Sequence, residues 1–300
     1  MPTLRQLEYL VAVADLQHFG RAADACGVSQ PTLSQQIHAL EERLGVPLIE
    51  RRVSGAELTP IGREITARAR RLVIEVQDIR DLARRAADGL VGTIRFGVTP
   101  TLGPYLMPPI VAALHREQPE LRMFVREGIP VDQALALSRG TLDMMLGPLP
   151  IDGGDLEVYP LFRERLFLVA PPDHSLAASS SLSTADLKGE SVLSLDPRHH
   201  LHRQVATICD ELGMTLLRDY EGTSLDSVHQ MVASGLGLAI LPEFYIRSAV
   251  GGLSGVVVIE PGGWTFTRSI AAAWRIGAAY DSEYRVIAER IQSEARTLIA

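Results

Sequence analysis

Lysine is nearly absent from this 300-residue chain. Lys188 is the only one, so arginine supplies almost every positive contact. Cysteine is as scarce: Cys26 and Cys209 lie far apart, too few for a disulfide scaffold or a structural zinc site. No apolar run is long enough to cross a bilayer. The N-terminus, MPTLRQLEYLVAVADLQHFG, carries Glu8 and Asp15 and lacks a small-residue cleavage site, so no signal peptide is read there. The expectations are a cytoplasmic chain and no membrane partner. Also missing are a recognisable nucleophile–base pair, a phosphate loop and a metal motif. No catalytic residue, metal or cofactor is therefore assigned. The net charge of −7 lacks the positive excess that marks many nucleic-acid binders. It is unevenly spread, however. Residues up to Asp88 are close to neutral, and nearly all the acidic excess follows Gly89. Phosphate contacts need only a local cationic surface.

What is present is ordinary globular protein, 46% hydrophobic and 22% charged, and long enough for two or three units. Leu4, Leu7, Leu10, Val11 and Ala14 recur at helical spacing, and Phe19-Gly20 is read as the break that ends this helix. RAADAC (Arg21–Cys26) is a second short helix. Gly27-Val28-Ser29 is a tight turn, with Ser29 as N-cap and Pro31 in the first turn of QPTLSQQIHALEERLG, which stops at Gly45. Two short helices meeting at a three-residue turn form a helix-turn-helix. Ala22 and Ala23 permit close approach, and Val28, Leu33, Ile37 and Leu40 form the buried face of the second helix. Ser29, Gln30, Pro31, Thr32, Ser34 and Gln35, with Gln36, are left for solvent or for base edges and phosphates in a major groove. LIERRVSGAELTPIG then reads as a small β-wing, and Arg51 and Arg52 are candidate phosphate contacts. A solvated helix face and surface ion pairs with Glu50 or Glu57 are the plainer alternatives.

From Thr59 to Asp88 the pattern is helical, with no Gly or Pro after Gly62. Ile61, Ile65, Ala69, Leu72, Val76, Ile79, Ala83 and Ala86 make a heptad seam. A helix packed on its own domain would show the same seam. Its length and lack of turns favour a dimer-forming coiled coil. Residues 89–92 read as a hinge.

Beyond Gly92, strands and helices alternate: TIRFGV, LRMFVRE, LDMMLG, RLFLVAPP and ESVLSL are strands with helical segments between them. That alternation predicts an α/β effector domain over 93–300, with mainly parallel sheets in two lobes. Lobe I is 93–163 and 268–300, and lobe II is 164–267. SIAAAW and the last helix return to lobe I. Two open lobes leave a cleft in which ligands bind at strand ends. Thr99 and Thr101 lie in the loop after the first strand, with Pro104. Thr223 and Ser224 precede a lobe II helix, where hydroxyls suit either an anion or ordinary capping. His199, His200 and His202 are clustered, but without the i, i+4 geometry of two metal ligands on one helical face. A cleft-lining role for His199 or His200 is preferred. Cys209 falls on an apolar helical face, as packing does.

The stretch FGRAADACGVSQPTLSQQIHALEERLGVPLIERR, followed by ELTPIG, resembles the LysR-type transcription regulators. It contains their AA, VSQPTLS, LE, LG and LTP.G series in order, with Ile49 and Ile61 as apolar departures. The resemblance covers the whole chain and implies an N-terminal all-α winged helix-turn-helix (1–58), a linker helix (59–88) and a two-lobed, periplasmic-binding-protein-like effector domain. In that domain, TPTLGPYLMPPI, DPRHHLHRQVATICDELG and GTSLDSVHQMVASGLGLAILP are most similar to the peroxide-sensing OxyR branch. The resemblance places Cys209 at the resolving cysteine, His200 at the peroxidatic position, His199 at a matching histidine, and Pro130 where that branch has a peroxide-binding threonine. Histidine forms neither a sulfenic acid nor a disulfide.

The family thus implies a DNA-binding regulator, possessing activator function and no enzyme activity. Its partners would be double-stranded DNA bearing an interrupted inverted repeat, a small effector, RNA polymerase and further copies of itself, as a homodimer assembling to a homotetramer. The expected effector is an organic anion held near Thr99, Thr101, His199, His200, Thr223 and Ser224. The rival within regulation is oxidant sensing through Cys209. The rival from another class is a cleft-bearing enzyme or solute-binding protein, which the N-terminal helix-turn-helix opposes.

Overall fold

Thr3 starts the first helix. Its hydroxyl accepts from Gln6 N, while the Gln6 side chain accepts from Thr3 N, a reciprocal cap on α1 (Leu4–Leu16). The computed structural model describes residues 1–52, 55–88, 92–179, 181–248 and 254–299, of which the side chains at 51, 52, 81, 82, 84–88, 92 and 219 are left aside. These residues fall into two units, Met1–Gly89 and Leu90–Ala300.

In the first unit, α1 buries Gln6, Tyr9, Leu10 and Val13, a face rotated from the leucine stripe read in the sequence. The reason is Gln6. Its amide donates to Gln36 Oε1 at 3.2 Å, which draws that edge of the helix inward and also turns Gln36 away from solvent. Phe19-Gly20 does not break a helix, as the sequence suggested; it forms the first turn of α2 (Phe19–Ala25). The break is one step earlier. Gln17 takes the left-handed conformation, and His18 Nδ1 caps α2 by accepting from Gly20 N and Arg21 N. Ala22 and Ala23 are wholly buried, which brings α2 against α3 (Gln30–Leu44). Gly27 at φ 66° makes the turn, and left-handed Gly45 ends α3.

The wing pairs β1 (Ile49–Arg52) with β2 (Gly55–Leu58) in an antiparallel register. Glu41, from the LE pair, accepts from Leu48 N at 2.8 Å and Ile49 N at 3.1 Å and so fixes where the wing leaves α3. Thr59 donates to Pro47 O and accepts from Gly62 N, opening α4 (Pro60–Asp88). A Cβ on Gly62 would lie 2.0 Å from Leu48 O, so the glycine of LTP.G is a steric requirement. Arg70 grips Asp15 with two bonds of 2.8 and 2.6 Å, holding α4 on α1.

The seam of α4 divides. Ile65 and Ala69 join the core of Tyr9, Leu10, Leu33 and Leu40, whereas Ile61, Leu72 and Ile79 are 40%, 54% and 59% exposed. Part of the seam thus packs on its own domain, and the rest faces solvent. Ala86 has a side chain outside the described residues, as does the 89–91 part of the hinge.

In the second unit, β3 (Gly92–Val98), α5 (Gly103–Glu117), β4 (Leu121–Glu127), α6 (Pro130–Ser138) and β5 (Met144–Pro148) form the first βα series. A 15-residue strand, β6 (Leu156–Ala170), leads to β7 (Ser191–Leu195), α7 (His200–Leu212), β8 (Thr215–Gly222), α8 (Leu225–Ala233), β9 (Leu238–Pro242) and α9 (Glu243–Ser248). Then follow β10 (Val257–Ile259), β11 (Thr267–Arg275) and α10 (Asp281–Ile299).

Nine strands run in the order β4-β3-β5-β11-β6-β9-β7-β8, with β10 beside β6. β3 is parallel to β4 and β5, and β7 to β8 and β9. Every pairing of β6 and β11 is antiparallel. The sheet is mixed and not mainly parallel, because each lobe is closed by a strand returning from the other. β6 serves both lobes: Leu161 enters the core of Phe96, Ile110, Trp274 and Ile291, while Leu166, Leu168 and Val169 enter that of Val192, Val205 and Leu241. Likewise Phe244 of α9 lies in the lobe I core and Tyr245 in that of lobe II. α10 packs on α5 and β6 in lobe I.

Candidate nucleic-acid interface and effector cleft

α3 buries Leu33, Ile37 and Leu40 and leaves Gln30, Pro31, Thr32 and Gln35 exposed, with Ser34 partly so. Ser29 Oγ accepts from Thr32 N at 3.3 Å and lies 2.8 Å from Thr32 Oγ1, so two hydroxyls are held together at the helix N-terminus. The structure brings these six residues onto one end of one helix, the arrangement by which a recognition helix meets base edges and phosphates. Arg51 and Arg52 lie on β1 opposite Ala56 and Gly55. Their side chains are outside the described residues.

In the second unit, Thr99 and Thr101 sit in the turn between β3 and α5, and both are buried. Thr99 O accepts from Leu102 N and Gly103 N, each at 2.9 Å, and its Oγ1 is a buried atom with no partner. Thr101 is claimed by a residue that sequence reading missed. Arg268 donates from Nη1 to Thr101 Oγ1 at 2.9 Å, from Nη2 to Thr101 O at 3.1 Å, and from Nε to Glu164 Oε2 at 2.7 Å. Glu164 also accepts from Phe244 N at 2.9 Å. Burial pushes the Glu164 carboxyl up, opposed by the Arg268 charge and by the hydrogen bond from Phe244 N. In the sequence Glu164 lies between Arg163 and Arg165, and Arg268 between Thr267 and Ser269, so neither stands out as a buried charge. The pair becomes legible only once β6 and β11 are known to be neighbours.

Facing this from lobe II, α7 begins at His199 and His200, both buried. No side chain caps α7. His200 Nδ1 is buried without a partner. Burial lowers the affinity of both rings for a proton. For His200, the charges of Arg203 and Arg268 add to this, with the neighbouring Gln204 side chain and Asp152 opposing. His202 turns elsewhere, its Nδ1 2.7 Å from Leu195 O, so the three histidines do not converge. Among the described residues no group of three or more His, Cys, Asp or Glu side chains is placed to hold a metal ion. Ser224 caps α8 through Ser227 N at 3.2 Å, the ordinary structural use of such a serine, and Thr223 is exposed. The lobes meet again where Tyr105 of α5 donates to Asp226 Oδ2 at 3.3 Å and rests edge-on against Tyr245. Cys209 is 1% exposed inside the lobe II core, and burial pushes its thiol up to about 11.

A helix-turn-helix with a β-wing, a long helix and a two-lobed, periplasmic-binding-protein-like sensing domain together define a DNA-binding, effector-responsive regulator. The family profile of the LysR substrate binding domain matches residues 87–296, and that of the bacterial regulatory helix-turn-helix protein, lysR family, matches residues 4–63. The chain belongs to the LysR family of transcription regulators. The DNA-binding transcriptional dual regulator OxyR of Escherichia coli (strain K12) is 35% identical over 292 residues, covering 97% of this chain and 95% of that protein. The HTH-type transcriptional regulator EstR of Acinetobacter baylyi is 30% identical over 298 residues, 99% of each. The structure of full-length OxyR from Pseudomonas aeruginosa has a TM-score of 0.78 at 35% identity, covering 97% of this chain and 94% of that one.

Proposed function

We propose that this regulator acts in the cytoplasm. Its dimers, paired through the exposed Leu72–Ile79 stripe of α4, assemble to tetramers and read an interrupted inverted repeat with the α3 face and the wing arginines. A small organic effector binds between the lobes, its hydrogen-bonding groups meeting Thr99, His199 and His200. The single observation that carries this reading is the pair of unpartnered buried atoms, Thr99 Oγ1 and His200 Nδ1, on facing lobes. A buried polar atom without a partner is a vacancy in hydrogen bonding that a ligand can fill. The uncapped N-terminus of α7 supports an anionic or otherwise acceptor-bearing ligand, because its first N–H groups and dipole favour negative charge. Arg268 is fully committed to Glu164 and Thr101, so it acts as the frame of the cleft. Ser224 and Thr223 contribute at its edge. Effector binding shifts lobe and dimer geometry, and through DNA bending it alters recruitment of RNA polymerase.

The test is footprinting on the promoter with carboxylate metabolites added. Thr99→Val and His200→Ala are expected to bind DNA normally and lose the response. Replacing Gln30, Ser34 and Arg51 together with alanine is expected to abolish specific binding. Unchanged DNA binding in that triple variant would refute the interface, and a full response in Thr99→Val and His200→Ala would refute the cleft.

The likeness to OxyR favours a second reading, oxidant sensing through Cys209. Burial of that thiol opposes it, and His200 stands where the resemblance puts the peroxidatic residue. A peroxide response that is lost in Cys209→Ser would favour this reading over the ligand one.

A further inference from the structure

A cavity of about 610 Å³ opens where β8, the edge strand, departs from its neighbour. Ser191 pairs with Thr215 and Val192 with Leu216, but Ser194 then pairs with Glu221 and Leu195 with Gly222. One residue of β7, Leu193, therefore stands opposite four of β8, Leu217 to Tyr220, and the surplus backbone leaves the ladder. The space lies between this bulge and α7 and is of small-molecule size.

Its wall holds a polar group in want of a partner. Ser194 is 6% exposed, lines the cavity, and its hydroxyl makes no hydrogen bond. His202 lines it too. Its Nδ1 lies 2.7 Å from Leu195 O, and a carbonyl oxygen only accepts, so Nδ1 carries the hydrogen and the neutral ring keeps an acceptor lone pair on Nε2. His202, Ala206 and Asp210 follow at i, i+4 and i+8 along one face of α7, which sets the two ends about 12 Å apart. At the His202 end, Glu221 faces Ser194 across the ladder; at the other end Asp210 stands near Met214 and Thr215. Neither Asp210 nor Glu221 makes an ion pair among the described residues. Of the cations nearby, Arg218 is exposed on the lining and Arg198 is already bonded to Asp196. The middle, at Ala206 and Leu217, is apolar.

We propose that this cavity binds an extended aliphatic amine with an ammonium group at each end. One terminus meets Glu221, His202 and Ser194, the other meets Asp210, and the alkyl chain lies against Ala206 and Leu217. The site shares no residue with the effector cleft and does not depend on that reading.

Calorimetric titration of the full chain with 1,8-diaminooctane at physiological salt tests it. One 1,8-diaminooctane per chain is expected, with putrescine, too short to reach both ends, and octylamine, charged at one end only, each at least tenfold weaker. Asp210→Asn and Glu221→Gln are each expected to weaken binding at least tenfold. Glu289→Gln, an exposed carboxylate on α10, is expected to leave it unchanged. Both cavity carboxylates are exposed, so these variants retain the fold, as circular dichroism would verify. Absence of saturable binding, or binding weakened equally by Glu289→Gln, overturns the proposal.

Discussion

Arg268 and Glu164 stand opposite each other in the β11–β6 register, Nε 2.7 Å from Oε2, with neither side chain exposed to solvent. They join β6, which serves both lobes, to β11, and through Thr101 they hold the turn between β3 and α5. Removing one partner strands a buried charge, which costs about 3–5 kcal/mol. Arg268→Met is therefore expected to destabilise the effector domain by that order in urea unfolding. Glu164→Gln, which keeps an oxygen for Arg268, is expected to cost less, and Arg268→Met with Glu164→Leu to recover much of the loss. Equal costs for the single and double variants would contradict this account.

Gly62 is predicted to be irreplaceable. A methyl group there would overlap Leu48 O, so Gly62→Ala must move α4 off the wing. A loss of about 3 kcal/mol is expected in the first unit, together with weaker DNA binding. Wild-type stability in thermal melts would show that α4 shifts without cost.

Leu72 and Ile79 project from α4 into solvent, so charging them leaves the folded core intact. Leu72→Glu with Ile79→Glu is expected to turn dimers into monomers in sedimentation velocity and to lower affinity for a two-half-site operator far more than for a single half-site. Persistence of the dimer would place the interface elsewhere.

The buried histidines carry a pH signature. Burial depresses both His199 and His200 below their ordinary 6.5. As pH falls through that value the unfolded chain takes up protons that the folded chain refuses, so stability is level above it and declines below it. Asp196, held down to about 2 by Arg198, is ionised throughout this window and adds nothing. The melting temperature is expected to fall between pH 7.5 and 5.5, and His199→Asn with His200→Asn to flatten that fall. An unaltered slope would assign it to other groups.

Much of the first unit was legible in the sequence because its signals are local. Ser29, Pro31, Gly27 and Gly45 each act within one turn of their own position, and Ala22-Ala23 announces close packing by size alone. The rotated face of α1 was not legible, because Gln6 is buried for the sake of Gln36, thirty residues away. Thr99, Thr101, His199 and His200 were read as effector contacts, and all four are buried. Arg268 and Glu164 were missed, since Glu164 reads as one member of a local Arg-Glu-Arg run and Arg268 as a strand-end polar residue until two distant strands pair. Ser224 was read as either capping or ligand binding, and capping is the bond it makes.

The sequence by itself determined the helix-turn-helix, the wing and the two-lobed α/β domain, since caps, turns and periodicity are properties of neighbouring residues. Only the tertiary structure decided that β6 serves both lobes and pairs antiparallel with β11, that Thr101 is held by Arg268, and that His202 faces away from His199 and His200. Those outcomes depend on which distant strands pair and how deeply a polar group is buried. Strand pairing and desolvation are set by the whole packed domain, not by any local stretch of chain.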